Sequence, residues 1–382
     1  MASVKTVVPV ARVQMLTAVW TLSVMVLVSG GSDLLSRSKA VTGWLERQDQ
    51  EHSRQTRTDY VPHGNLQTPE EKVLYEDLPR IDFSKGGVYF FGSSIVERAT
   101  KLWSLPPALQ VVTHNFAMSA CNQESELVWL QYLIEQRGML KAGGEKNLVL
   151  LGTTYHNVFY PPREVPPSFA DSFVKHGLFS CDGRRGIQPQ PVNAVSEFVD
   201  FEETRQAVCM TRWRDALVYQ VGRWRGHGVE PVRPQDPALY MDWRRQEMGT
   251  NWRKKIYETM PVFRETIDYL RARHAPTIVI LMPLGTWENG LPYDAEYRRQ
   301  VTALCAEEHI PVVDWAGLLA DEDFADSAHY NIFGTEKVHP AFLKIAIPFL
   351  QSSRVFPDAE SQLNRSPNRL ERKRENGRGG GI

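Results

Sequence analysis

The sequence predicts an α/β fold, a three-layer α/β/α sandwich around a mostly parallel five-stranded sheet. Three observations point there. Short apolar runs recur without polar alternation, as parallel strands covered on both faces require. Segments of helical periodicity separate them, and strands alternating with helices build a layered sheet. The chain has 382 residues, 42% of them apolar, enough to bury such a sheet.

Taken in order, the chain opens with Lys5 and Arg12, followed by twenty uncharged residues from Val13 to Ser32. That is about the minimum for a membrane span, and the basic flank suits an N-terminus held inside. A cleaved signal peptide is the other reading, with Val28-Ser29-Gly30 as its small-residue site. Either one puts the bulk of the chain outside the cytoplasm. Residues 34–85 are polar and charged, as in Glu46-Arg47-Gln48-Asp49-Gln50-Glu51-His52, and read as a spacer between the N-terminal segment (1–33) and a folded domain spanning 86–352.

Within that domain the expected strands are Val88–Phe91, Leu109–Thr113, Asn147–Leu151, Thr277–Met282 and Pro311–Asp314. Asn122 is placed to cap a helix carrying Leu127, Leu130 and Ile134, with Gly138 to end it. Asp294 is placed to cap another, with Tyr297, Val301 and Leu304 on one face. Residues 252–273 read as mostly helical, with Pro261 marking a kink or a fresh start, and a last helix runs from about Pro340 to Leu350. An insert of about 156–250 breaks the alternation. It is rich in proline and holds a helical stretch, Thr211 to Arg225, with Trp213, Leu217, Val221 and Trp224 on one stripe. That stretch reads as a helix packed on the main domain, a cap over the active site, or a face on a membrane. From Ser353 to Ile382 the tail is rich in Arg, Asn, Pro and Gly and is expected to be disordered.

Composition excludes some function classes. Lysine plus arginine number 44 against 45 acidic residues, which gives no support for nucleic-acid binding. The four cysteines, Cys121, Cys181, Cys209 and Cys305, form no C-x-x-C pair, so neither a zinc ribbon nor a dithiol motif is indicated. Cys181 and Cys209 share one irregular region where an oxidising compartment would allow a disulfide; Cys121 and Cys305 read as small buried hydrophobes. No phosphate-cradling loop and no H-E-x-x-H is present. No metal or cofactor is called for.

Two stretches carry chemistry. Gly87-Val88-Tyr89-Phe90-Phe91-Gly92-Ser93-Ser94 reads as a strand ending in a tight turn that lifts a hydroxyl above the sheet edge, where ligands bind in open α/β sheets. A serine there either caps the next helix or acts as a nucleophile. The second stretch is Asp326-Ser327-Ala328-His329-Tyr330-Asn331-Ile332-Phe333-Gly334. An aspartate three residues before a histidine lets the carboxylate hold one imidazole nitrogen while the other faces a hydroxyl, which serine needs in order to become nucleophilic. The same pair also suits a metal site.

These motifs, in this order, resemble the SGNH (GDSL-like) hydrolase superfamily, and within it the membrane-anchored branch that includes DltD-like proteins. Phe91-Gly92-Ser93-Ser94 matches the first block, with Ser94 at the nucleophile's position. Val111 to Ala120 matches the second, with Ala120 where a glycine usually donates its N–H. Ile280-Leu281-Met282-Pro283 matches the fourth, and the Asp326/His329 loop the last. In the third block, Leu150-Leu151-Gly152-Thr153-Thr154-Tyr155-His156-Asn157, Thr154 stands where the family has asparagine. The resemblance implies a Ser94-His329-Asp326 triad and an oxyanion site from the N–H groups of Ser94 and Ala120 with Thr154. His156 or Asn157 could instead reach in from the loop. His114 reads as buried, and His339 as a surface or capping residue. The resemblance also implies an extracytoplasmic esterase or O-acyltransferase acting on an acylated glycan or cell-wall polymer, with a membrane-bound acyltransferase as partner. Ala120 and Thr154 leave a second reading open, a non-catalytic module that binds glycan or scaffolds a membrane assembly.

Overall fold

The central strands form where apolar runs can be covered on both faces. A computed structural model describes residues 81–99, 107–174, 177–182, 186–190 and 236–357, with isolated positions elsewhere such as 19–21, 73, 74, 78, 105, 214, 217, 218 and 220–222. In chain order the elements are β1 (Gly87–Phe91), α1 (Ser94–Ala99), β2 (Thr113–Asn115), α2 (Gln123–Glu135) and β3 (Asn147–Thr153). A hairpin, β4 (Phe179–Asp182) and β5 (Gly186–Pro189), and α3 (Pro237–Met248) follow. Then come α4 (Trp252–Arg271), β6 (Thr277–Leu281), α5 (Pro292–Glu307), β7 (Val312–Asp314) and α6 (Ile332–Ser352).

Five strands pair in parallel in the order β2-β1-β3-β6-β7. The order reverses between β1 and β3, the place where α/β sheets open a crevice for ligands. All five residues of β1 and all seven of β3 are buried, which explains runs without polar alternation. Alternate β1 side chains serve opposite layers. Phe90 packs on Phe342 of α6, ring centroids 3.8 Å apart, whereas Phe91 meets Phe116, which abuts Trp129 of α2. The helices group accordingly: α1 and α6 pack together against β1, while α4 packs on α2, α5 and β6.

Several boundaries differ from expectation. Residues 109 and 110 belong to a helical turn, Pro107–Gln110, and β2 starts only at Thr113, although Val112 already accepts a hydrogen bond from Val88. Asn122 does cap α2, through a reciprocal box with Ser125. Asp294 is not a cap: α5 starts at Pro292, a preferred first position, and Asp294 pairs instead with Arg298 at 2.6 Å. The last helix begins eight residues before Pro340, at Ile332, because Asn331 caps it by accepting from Phe333 and Gly334. Pro261 lies inside α4.

The end of the stretch read as spacer belongs to the domain, since Leu74, Leu78 and Phe83 are buried in its core. Among the described residues no helix is long and apolar enough to cross a membrane. The expected N-terminal membrane helix lies mostly outside them. In the stretch from 211 to 225, the described apolar side chains Leu217, Val218, Val221 and Trp224 are exposed rather than packed on the domain. Cys181 is a free thiol, and Cys209 lies outside the described residues. Of the tail, residues 353–357 are described: Val355 and Phe356 pack on the core, and Phe356 donates its N–H to Leu350. The rest of the tail lies outside the described residues.

Candidate active site

The site begins where β1 turns into α1. Gly92 has φ of 145°, and a Cβ there would run into the Gly152 carbonyl and the Val96 side chain, so the turn requires glycine. Ser93 occupies the cap position, its carbonyl accepting from Val96 at 2.9 Å and Glu97 at 3.0 Å. This separates the two serines' jobs. Ser94, first residue of α1, sends its Oγ to 2.8 Å from Nε2 of His329.

The partner loop folds on itself. Asp326 Oδ1 accepts the main-chain N–H groups of Ala328 (2.8 Å) and His329 (2.9 Å). Nδ1 of the His329 ring lies 2.8 Å from Oδ2 and 3.0 Å from Oδ1. Ala325 closes the loop with an N–H to the His329 carbonyl at 2.8 Å. Burial of Asp326 by itself would favour the neutral acid. The ring bond, the charge of His329 and the two N–H groups outweigh it and hold the carboxyl far below the usual carboxylate range. Serine, imidazole and carboxylate thus stand in one line of hydrogen bonds across 235 residues of sequence.

Ala120 lines the same cavity, with φ of 48°. Left-handed backbone at a non-glycine residue costs on the order of 1 kcal/mol, and such strain collects at functional sites. Among the described residues no acceptor takes the N–H of Ser94 or of Ala120. Two main-chain donors beside a candidate nucleophile can hold a developing oxyanion.

Thr154 departs from expectation. It is buried, its Oγ1 accepts the His156 N–H at 3.2 Å, and it is not among the residues lining the cavity. The Thr154 N–H bonds the Asn157 side chain at 3.2 Å, so the pair caps the short helix Tyr155–Val158. Asn157 in turn directs its amide toward the Cys121 sulfur at 3.8 Å. His156 does line the cavity, its Nε2 3.5 Å from Glu288 Oε1. Burial, and then the Arg244 charge, push its pKa down to about 4, so the ring is neutral near pH 7. His114 is half-buried rather than buried, stacks beside Tyr89 and Phe116, which also stack on each other, and does not line the cavity. His339 lies inside α6 rather than at its start, and burial pushes its pKa down to about 4.

The cavity has a volume of about 540 Å³. One wall is the triad and Ala120; the other comes from the insert, as Phe159, Tyr160, Tyr240, Trp243 and Arg244. The cover over the site is therefore α3 and the 155–160 loop. Sequence reasoning missed α3 and the buried ion pair of Arg244 with Glu288. The signal available was Asp236-Pro237, a cap followed by proline at the first helical position. Among the described residues no group of three His, Cys, Asp or Glu side chains is placed to hold a metal ion.

The chain is similar in structure to a “putative acylhydrolase” from Bacteroides fragilis NCTC 9343, at 11% sequence identity and a TM-score of 0.36, over 75% of this chain and 97% of that one. It is also similar to the protein YxiM from Bacillus subtilis, at 13% identity and a TM-score of 0.30, over 71% of this chain and 57% of that one. No protein-family model matches the chain, and no curated protein matches it.

Proposed function

We propose that the protein is a serine esterase or O-acyltransferase. One observation carries the reading: Ser94 Oγ, His329 and Asp326 are hydrogen-bonded in series along the wall of a cavity large enough for an ester substrate. Ser94 Oγ attacks the acyl carbonyl, and its proton passes to His329 Nε2 as the new C–O bond forms. The N–H groups of Ser94 and Ala120 hold the oxyanion. On collapse the ester C–O bond breaks, and His329 returns the proton to the departing alcohol, leaving Ser94 acylated. A water (hydrolysis) or a hydroxyl acceptor (transfer) then repeats the sequence in reverse, with His329 as base. Asp326 keeps the imidazole in the required tautomer and stabilises its charged form.

The substrate class belongs to the same proposal: acyl esters on a cell-surface glycan or cell-wall polymer, handled outside the cytoplasm. Resemblance to the membrane-anchored SGNH branch and the uncharged stretch from Val13 to Ser32 support it. An N-terminal anchor and a membrane-bound acyltransferase partner are part of the same proposal.

The test is labelling of the purified protein with a fluorophosphonate probe. Wild type is expected to label and Ser94→Ala to remain unlabelled. Absence of wild-type labelling, or equal labelling of Ser94→Ala, overturns the reading and leaves the non-catalytic glycan-binding or scaffolding module in its place.

A further inference from the structure

The loop that carries Asp326 and His329 is closed by its own hydrogen bonds, but those bonds fix its shape rather than its distance from Ser94. Ser327, 5% exposed, is one of the points that tie it to the rest of the molecule; another is Tyr330, whose hydroxyl donates to the Pro283 carbonyl at 2.9 Å. Arg244 Nη2 donates to the Ser327 carbonyl at 3.3 Å and to its hydroxyl at 3.2 Å, and Trp287 Nε1 adds a bond to the same carbonyl at 3.3 Å. Arg244 comes from α3, in the insert, 83 residues away in sequence. It is 1% exposed, and its guanidinium lies over the rings of Trp243 and Phe159 at 4.6 and 5.3 Å. Its Nε donates to Glu288 Oε1 at 3.1 Å, and the other Glu288 oxygen accepts the Tyr155 hydroxyl.

A buried guanidinium with a single partner would be costly; here the carboxylate, the carbonyl and the hydroxyl each take a donor of the fork. The result joins four separate segments at one point: the loop after β3, the insert helix, the turn after β6, and the triad loop. We propose that Arg244 is a positioning residue for the triad, a clamp through which the insert sets the His329 imidazole at hydrogen-bond distance from Ser94. The kinetic part of this inference rests on the esterase reading; the structural part does not. Displacing a base from its nucleophile by about 1 Å costs roughly 10²-fold in rate, so the clamp acts on turnover rather than on substrate affinity.

The experiment compares wild type, Arg244→Lys and the double variant Arg244→Met with Glu288→Gln, which removes both buried charges at similar volume. Three readouts are taken: steady-state kinetics on p-nitrophenyl acetate, thermal midpoint, and hydrogen exchange of the Ala328 and His329 amides. In the folded double variant kcat is expected to fall about 10- to 100-fold with KM within about twofold. Exchange at Ala328 and His329 is expected to quicken at least about tenfold while the β1 and β3 amides keep their protection. Arg244→Lys is expected to fall between, because an ammonium restores charge but not the fork. It carries the same readouts should the double variant not fold. Unchanged kcat with unchanged exchange overturns the clamp, as does a rise in KM alone, which would make Arg244 a substrate contact. If wild type neither turns over the ester nor labels with the fluorophosphonate while exchange still responds, the esterase reading falls and the clamp stands.

Discussion

Asp326 serves the site twice, with one oxygen organising the loop and both oxygens orienting the His329 ring. Asp326→Asn separates the two jobs. An amide oxygen still accepts the Ala328 and His329 N–H groups, so the loop closes, but the amide nitrogen favours the tautomer that cannot accept the Ser94 proton. Loss of kcat by about 10³–10⁴ is expected, with a small change in thermal midpoint. Fluorophosphonate labelling at the wild-type rate would show that the carboxylate is not needed. The triad was legible because each end carries a compact local signature: a strand stopping at glycine and serine, and an aspartate three residues before histidine. Thr154 was misleading for an equally local reason. Thr154-x-x-Asn157 is also a capping box, and the cap holds Thr154 buried and off the cavity wall, away from the position of an oxyanion donor. Arg244 was illegible, because its partners Glu288 and Ser327 lie 44 and 83 residues away and no local spacing encodes them.

At the scale of elements, β1, β3 and β6 were legible because burial on both faces leaves a nearly uninterrupted apolar run, whereas β2, Thr113-His114-Asn115, is a partly exposed polar strand that no such run marks, and helix starts depended on which polar residue finds a main-chain donor. Proline at 340 suggested a beginning, yet α6 starts at Ile332 and carries Pro340 and Pro348 within it. The decisive residue is Asn331. Its Oδ1 accepts from Phe333 and Gly334 at 3.0 Å each, and its Nδ2 donates to the Glu322 carbonyl at 2.7 Å and the Phe324 carbonyl at 3.3 Å. The cap therefore also ties the triad loop to the segment before it. Asn331→Ala is expected to cost roughly 1–3 kcal/mol, read as a lower denaturant midpoint at unchanged slope. Asn331→Asp keeps the acceptor and loses both donations, so it should fall between. Equal midpoints for Asn331→Asp and Asn331→Ala would mean that the donations, not the cap, hold the helix start.

Across the whole molecule, the sheet buries titratable groups that make stability depend on pH in opposing directions. Glu126, on the inner face of α2, is 2% exposed, and its Oε2 has no hydrogen-bond partner among the described residues. Burial pushes its pKa up to about 8, from 4.5 for the free side chain. A raised pKa means that the folded chain keeps a proton the unfolded chain gives up. Glu126 is therefore tolerated fully below about pH 4.5 and costs stability progressively as pH climbs toward 8. His156 and His339 act in the other sense. Burial pushes both down to about 4 from 6.5, so the stability of their neutral forms is complete above 6.5 and is lost as pH falls through 4. Between about 6.5 and 4.5 two histidines outweigh one glutamate, and above 6.5 the glutamate acts without opposition from them. These groups together place the maximum of thermal stability near pH 6.5. Glu126→Gln removes the alkaline limb alone. Its unfolding free energy should match wild type at about pH 4, exceed it at about pH 8.5 by an amount on the order of a few kcal/mol, and leave the acid limb unchanged. A parallel offset at every pH would show that Glu126 is ionised in the folded chain or hydrogen-bonded to water within it. In that case the pH dependence would have to come from elsewhere in the sheet.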